Sequence, residues 1–315
     1  MGVEHPSAPG LLHTLRPAPS WSAHAAAAAA YWILVAAAGL GMFAVVRTGD
    51  VPPAAPAEGA GLQSMVGRRS EALVIGGTGT GLAVLEVLSR EFEKETGISV
   101  SVASSIGSSG GLAALVAGAV DLAWVSRPLK PGELEKLRVV ELAQARVFLA
   151  GGRLADPSPL LPGEVADLYL GRREVWPDGT PVVVVLREPG DSGTLAFGEI
   201  VPGFAAAHEW AVESRFWRVE LSDLAMQRAL LDCPGAVGLF DLGAKRGLDL
   251  ALKEIPVLSG PGGNELIPVR PLSLVSHLDR VDPRVDRFIE FATGASAGRL
   301  LAEWGYQAPR VGGAR

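Results

Sequence analysis

Cysteine is almost absent from this chain: Cys233 stands alone among 315 residues. A single thiol excludes an intramolecular disulfide framework and any cysteine-rich metal site. Histidine is nearly as scarce. His5, His13 and His24 precede the one long apolar run, and only His208 and His277 follow it, too few for a histidine-based zinc cluster. Aromatic residues are sparse, at 6% of the chain. Lys and Arg form no stripe, and a net charge of −6 leaves no electrostatic footprint for nucleic acid.

What the chain has in quantity is glycine (39) and proline (23), which punctuate it with turns. Apolar residues at 48% and charged residues at 20% are ordinary for a folded globular protein. The length permits one large or two modest domains with ample core.

Residues 1–24 form an N-terminal region, and the stretch from Ala25 to Val46 then carries no charge. As a helix rising about 1.5 Å per residue it spans roughly 33 Å, enough to cross a bilayer. It reads as an uncleaved transmembrane anchor or as a long signal segment, with Ala55-Pro56-Ala57 as a distant cleavage site. No cysteine follows the run directly, which excludes a lipoprotein anchor. Arg16 lies before it and Arg47, Arg68 and Arg69 after it, so loop charge does not fix its orientation. Residues 47–70, rich in Pro, Ala and Gly, read as a semi-extended linker. The folded part is expected to begin near Glu71.

Beyond that point one pattern recurs three times: an apolar strand, a turn of small hydroxylated residues, then a helix. The strand Ala72–Ile75 leads into Gly76-Gly77-Thr78-Gly79-Thr80-Gly81, and Leu82, Leu85, Leu88 and Phe92 follow at helical spacing until Gly97. Ile98, Val100 and Val102 alternate as a strand. Ser108-Ser109-Gly110-Gly111 then opens a short helix that stops at Gly118. A strand from Val120 to Val125 ends at Ser126-Arg127. The third turn, Arg187 to Thr194, follows the apolar strand Val182–Leu186 and contains Gly190-Asp191-Ser192-Gly193.

A helix N-terminus exposes unpaired N–H groups at the positive end of its dipole, which suits an anion. Glycine lets the backbone approach closely, and Ser and Thr add hydroxyl donors. Ordinary helix capping also explains each turn taken singly. Arg127 and Arg187, directly at strand ends, add the charge that an oxyanion pocket needs.

These segments resemble the phosphate-binding proteins of ABC transporters, which have the type 2 periplasmic-binding-protein fold. The resemblance runs through GGTGTG, EFEKETGISVSV, IGSSGGLAALVAGAVDLAWVSRPL and LYLGRREVWPDGTPVVVVLREPGDSGT, then CPGAVGLF and RFIEFATGASAGRLLAEWGYQAP. It covers residues from about 71 to 309. It implies an α/β fold of two lobes with a ligand cleft between them, preceded by the N-terminal hydrophobic helix. Lobe 1 is expected from 71–148 and 266–310, and lobe 2 from 149–265. The alternation of strands and helices leads to the same class, with mostly parallel pairing.

The resemblance nominates Thr78, Gly79, Thr80 and Gly81 from the first turn, and Ser108 with Ser109 and Gly110 from the second. From the third it nominates Arg187, Ser192, Gly193 and Thr194. Ser126 falls where many relatives carry an acid that accepts the proton of phosphate, and Arg127 lies beside it. Asp191 is a substitute acceptor, because one extra residue separates Arg187 from the SGT turn.

The function implied is non-enzymatic: a monomer exported to the periplasm or the outer face of the cytoplasmic membrane captures phosphate or a related oxyanion. It delivers this ligand to an ABC permease in the inner membrane, with no cofactor and no metal. The alternative is a tethered oxyanion sensor or scaffold of the same fold. Gly190-Asp191-Ser192-Gly193 echoes a protease nucleophile, but that chemistry needs a base, and His208 reads as a surface or partly buried helical residue. Gly76–Gly81 fits neither dinucleotide nor P-loop spacing. Trp176–Gly179 reads as a β-turn with an exposed tryptophan, Arg172-Arg173 and Glu133, Glu135 and Lys136 as solvated faces, and Cys233 as a small apolar residue beside a turn.

Overall fold

The computed structural model describes residues 72–309; the N-terminal region, the apolar run and the linker lie outside these residues. Among the described residues no helix is long and apolar enough to cross a membrane.

Strand β1 (Leu73–Gly77) lies in parallel between β2 (Val100–Val102) and β3 (Leu122–Val125), with Ile75 opposite Val102 on one side and Leu122 on the other. It runs on past Ile75, where the sequence pattern ends it, because Gly76 and Gly77 continue the ladder to Ala123 and Trp124. Helix α1 (Leu82–Thr96) buries Leu85, Leu88 and Phe92 of the stripe that the spacing predicts, with Leu82 half-buried and Val84 buried beside them. It ends at Gly97 in the left-handed region, whose N–H bonds the Glu93 carbonyl. Helix α2 (Gly107–Ala117) ends in the same way at Gly118. Gly111 lets α2 sit directly on β1: a Cβ there would come within 2.6 Å of the Gly77 Cα.

Two long strands tie the molecule together. Strand β4 (Leu137–Gly151) pairs antiparallel with β9 (Val269–His277) over its first part, with a bulge between Glu141 and Ala143. Its last part pairs antiparallel with β7 (Ala236–Asp241) and with β8 (Lys253–Ile255). Strand β5 (Val183–Arg187) lies parallel to β6 (Arg218–Glu220) and β7. The order is β2-β1-β3-β9-β4-β7-β5-β6, with β8 beside β4. The expected predominance of parallel pairing is therefore corrected. The short strands at each end are parallel, while β4 and β9, which run between the two halves, pair antiparallel throughout.

Among the described residues two large hydrophobic cores result, beside a smaller cluster of Leu112, Leu115, Val120, Ala123, Val125 and Val275. The first gathers Leu73, Ile75, Leu85, Phe92 and Trp124 with Phe288 and Ile289 of α8 (Pro283–Thr293) and Leu301 of α9 (Ala295–Glu303). Phe92 meets Phe288 edge-on at 5.1 Å. The second core gathers Val184 and Leu186 with Leu168 and Tyr169 of α3 (Pro162–Tyr169), Phe197 of α4 (Ser192–Ile200) and Phe204 of α5 (Phe204–Glu213). Helices α6 (Asp223–Asp232) and α7 (Leu242–Gly247) flank β7. Along β4, Leu142, Ala143 and Ala145 belong to the first core and Val147 and Leu149 to the second. The fold is two-lobed α/β, with β4 contributing to both cores and β9 paired along it.

Two expectations are corrected at this level. Trp176 is buried, not exposed; its turn folds the indole inward, where Nε1 donates to the Gly235 carbonyl at 2.9 Å. Glu133 is not a solvated charge: it binds both terminal nitrogens of Arg127, at 2.7 and 2.8 Å.

Candidate functional site

All three small-residue turns lie at the carboxyl ends of strands, where ligands bind in open α/β sheets. The first two belong to the first lobe and the third to the second. In the first, Thr78 N–H donates to the Trp124 carbonyl at 2.9 Å, which fixes the turn against β3. Gly81 takes a φ of 71° and directs its N–H onto Asp241 Oδ2 at 2.9 Å. That conformation is costly for residues with a Cβ, and a Cβ at this point would also meet Leu272 and Trp124.

The second turn brings Ser108 under β3, so that its hydroxyl accepts the Ser126 N–H at 3.1 Å. Helix α2 begins with no side-chain cap, which leaves its first turn facing the space between the lobes. In the third turn Asp191 caps α4: its Oδ2 accepts from Thr194 N at 2.8 Å and from Thr194 Oγ1 at 3.0 Å.

Four buried hydroxyls meet where the turns converge. Ser126 Oγ lies 2.8 Å from Thr78 Oγ1, 3.4 Å from Ser108 Oγ and 2.6 Å from Ser192 Oγ. The last contact joins the two lobes. Above this floor opens a cavity of about 400 Å³. Thr78, Gly79, Ser108, Ser109 and Gly110 line it from the first lobe, together with Arg127. Arg187, Asp191 and Ser192 line it from the second. Thr80, Gly81, Ser126, Gly193 and Thr194 stand behind this surface, and the polar groups of Gly81 and Thr194 already have protein partners.

Arg187 is the centre of the electrostatics. Its side chain is 6% exposed, and three carboxylates surround it: Glu188 at 2.9 Å, Asp223 at 3.0 Å and Asp191 at 3.5 Å. Burial works against its charge, but Asp223, Glu188 and Asp191 outweigh burial and hold the guanidinium more firmly protonated than usual. Burial also raises Asp223 above the ordinary carboxylate range, despite the opposing pull of Arg187. Burial acts in the same direction on Glu188, yet there the bond from Arg187 prevails and lowers the pKa. Arg127 is bound differently. Its bond to Glu133 raises its own pKa and lowers that of Glu133 to about 2, while Nη2 also reaches Ser109 Oγ at 3.1 Å.

The hydroxyl of Ser192 is bonded to another hydroxyl, not to an imidazole. His208 packs against Tyr169 and Phe204 in the second core, and burial lowers its pKa. Among the described residues no group of His, Cys, Asp and Glu is poised to hold a metal ion.

Residues 54–283 match the PBP superfamily domain. The chain belongs to the PBP superfamily. No curated protein matches it by sequence. Among solved structures it is similar to a Clostridium perfringens protein described as a phosphate ABC transporter substrate-binding protein with bound phosphate. The TM-score is 0.63 and the identity 21%, over 76% of this chain and 100% of that one. An ABC-type phosphate transport receptor from Vibrio cholerae gives 0.52 at 21%, over 75% and 100% of the two chains. The periplasmic molybdate-binding protein of Azotobacter vinelandii gives 0.52 at 15%, over 76% and 100%. At these identities the likeness is one of fold, and the expected type 2 periplasmic-binding-protein architecture is the one this PBP-superfamily chain has.

Two residues that brace the site escape a sequence reading. Asp223 opens α6 after Ser222, which caps it, so the sequence marks a helix start but not the reach of Asp223 to Arg187. Asp241 closes β7 and joins it to the other lobe, accepting from Gly81 N, Gly243 N and the Tyr306 hydroxyl at 2.9, 2.9 and 2.7 Å. Burial pushes Asp241 up to about 6. Its one legible sign is its position at the carboxyl end of a strand.

Proposed function

We propose that this PBP-superfamily protein captures a phosphate-like oxyanion between its lobes as an extracytoplasmic, non-catalytic solute-binding protein, and that an ABC permease is its partner. The observation that carries the reading is one cavity into which Arg187, the first turn of α2 and Ser192 at the start of α4 all face. Two helix N-termini supply positive potential, and together with the directed N–H groups of a buried guanidinium they offer donors in a partly desolvated space, where hydrogen bonds to charge are strong. The phosphate and molybdate binders of the same fold support it as analogies.

In this reading Thr78, Ser108, Ser109 and Ser192 are the hydroxyl donors and Arg187 is the charge that fixes the anion. Ser126 supports the hydroxyl floor. Asp191 is engaged by Thr194 through Oδ2 and faces the cavity beside Arg187, so any proton on the anion meets a carboxylate there. Lobe closure would follow from contacts that the ligand makes with both lobes at once.

The test is calorimetric titration of the full-length chain, stripped of ligand, with phosphate, sulfate and molybdate. The expected result is saturable binding of one of them that Arg187→Ala weakens by at least about 100-fold, the scale of losing a buried charged hydrogen bond. Absence of binding to all three removes the oxyanion site and leaves the tethered scaffold.

A further inference from the structure

The floor of the cleft is already closed. Ser126 meets Ser192, Gly81 meets Asp241, and Asp223 of the second lobe packs over Gly79 of the first. Arg270 of β9 adds a bond of 2.6 Å from Nε to the Ser192 carbonyl. With these contacts made, the cavity of about 400 Å³ is not the gap of widely separated lobes. It falls within the range of about 300–1,000 Å³ typical of pockets for organic ligands. A tetrahedral oxyanion has five heavy atoms and displaces only a few water volumes of about 30 Å³ each.

Part of the otherwise polar lining is apolar. Ile106, just before α2, is 50% exposed, and Leu221, just before α6, is 72% exposed. They belong to opposite lobes and line the same cavity, with Pro189 of the third turn beside them. Isolated exposed aliphatic residues are commonplace on protein surfaces. Two that face one ligand-sized space from both sides of a cleft form an apolar wall, for which a bare inorganic anion has no use.

The charge balance agrees. One guanidinium is surrounded by three carboxylates within 3.5 Å, so the anion-binding end offers little net positive charge to a fully ionised inorganic ion. An added apolar contact supplies affinity that this charge balance does not.

We infer that the cleft takes an organic phosphoryl anion, a phosphonate or phosphate monoester with a small apolar substituent, whose head faces Arg187 and Ser108 and whose substituent lies between Ile106 and Leu221. This rests on the oxyanion reading above and specifies its ligand class.

The experiment compares inorganic phosphate with butylphosphonate by titration calorimetry on the full-length chain, on Ile106→Ser with Leu221→Ser, and on Arg187→Ala. Butylphosphonate is expected to bind at least about tenfold more tightly than phosphate, roughly the effect of burying two methylenes. In the double serine variant that ratio falls to within about twofold, because the wall is gone while the head-group contacts remain. In Arg187→Ala both ligands are lost. Phosphate binding as tightly as butylphosphonate to the unmodified chain overturns the inference and leaves the oxyanion reading standing. So does a preference that survives the double substitution. Binding of neither ligand overturns both.

Discussion

Ser126 Oγ and Ser192 Oγ stand 2.6 Å apart although 66 residues and a lobe boundary separate them. Ser126 follows β3 in the first lobe and Ser192 begins α4 in the second, so one hydroxyl pair closes the floor of the cleft. Thr78 and Ser108 complete the cluster. Because hydroxyls both donate and accept, they satisfy one another in the closed floor and are also able to turn towards an anion. Ser192→Ala removes one partner and leaves Ser126 with Thr78 and Ser108. The expected cost is about 1 kcal/mol of stability, that of one buried hydrogen bond, measured by urea denaturation. No change in stability would mean that the pair contributes nothing to closure.

The two arginines of the cleft are expected to differ sharply. Both Nη atoms of Arg127 are bound to Glu133 in a fork, whereas Arg187 is buried beside the third turn. Arg127→Ala is predicted to weaken anion binding by less than about tenfold, because its fork is committed to Glu133 away from the third turn, and Arg187→Ala by more than about 100-fold, the scale of a buried charged contact. Equal losses in calorimetry would assign Arg127 a direct place on the ligand.

Gly79 and Asp223 form a coupled pair across the cleft. A Cβ at position 79 collides with the Asp223 carboxylate, and the next atom it meets is Ser105 Oγ at 3.1 Å. Gly79→Ala alone is expected to destabilise the protein by about 1–3 kcal/mol through overpacking. Combining it with Asp223→Ala removes the obstacle, so the double variant is expected to be more stable than the sum of the single effects by about 1 kcal/mol. Strict additivity in thermal or urea unfolding contradicts the contact.

Asp241 gives a pH signature of defined sign. Burial raises its pKa from 3.8 to about 6 in the folded protein. Below 3.8 folded and unfolded chains both hold the proton. As pH rises towards 6 the unfolded chain releases it first, so the folded state binds more protons and stability falls, by about 3 kcal/mol in all. Glu133 acts in the opposite direction at lower pH: its folded pKa of about 2 makes stability rise as pH increases from 2 towards its ordinary 4.5. Asp241→Asn is expected to remove the fall between about pH 4 and about pH 6, seen as a flatter urea-stability profile than that of the unmodified chain. Parallel profiles would mean that Asp241 is ionised in the fold like an exposed carboxylate.

Much of the local structure is legible in particular residues. Leu82, Leu85, Leu88 and Phe92 set the face of α1 by spacing alone, and Gly97 and Gly118 mark the ends of α1 and α2 because glycine enters the left-handed region at low cost. The strand–turn–helix rhythm marks Thr78, Ser108 and Ser192, and all three appear in one hydroxyl cluster. Other contacts depend on packing. Trp176 reads as a surface turn residue because its neighbours are Pro177, Asp178 and Gly179, and only its contact with Gly235 shows it to be interior. Glu133 reads as a solvated charge until Arg127 meets it.

Residue order alone marks the buried face of α1, the glycine ends of α1 and α2 and the turns that carry hydroxyls, since spacing, capping and glycine conformation act over a few neighbouring residues. Tertiary structure alone decided how Arg187 is charged and what shares the cleft with it. Asp223 lies 36 positions further along the chain, and Ile106 and Leu221 approach the cavity from different lobes. Electrostatic interaction and apolar contact act through distance in space, and the antiparallel run of β4 and β9 that sets those distances joins segments more than 100 residues apart.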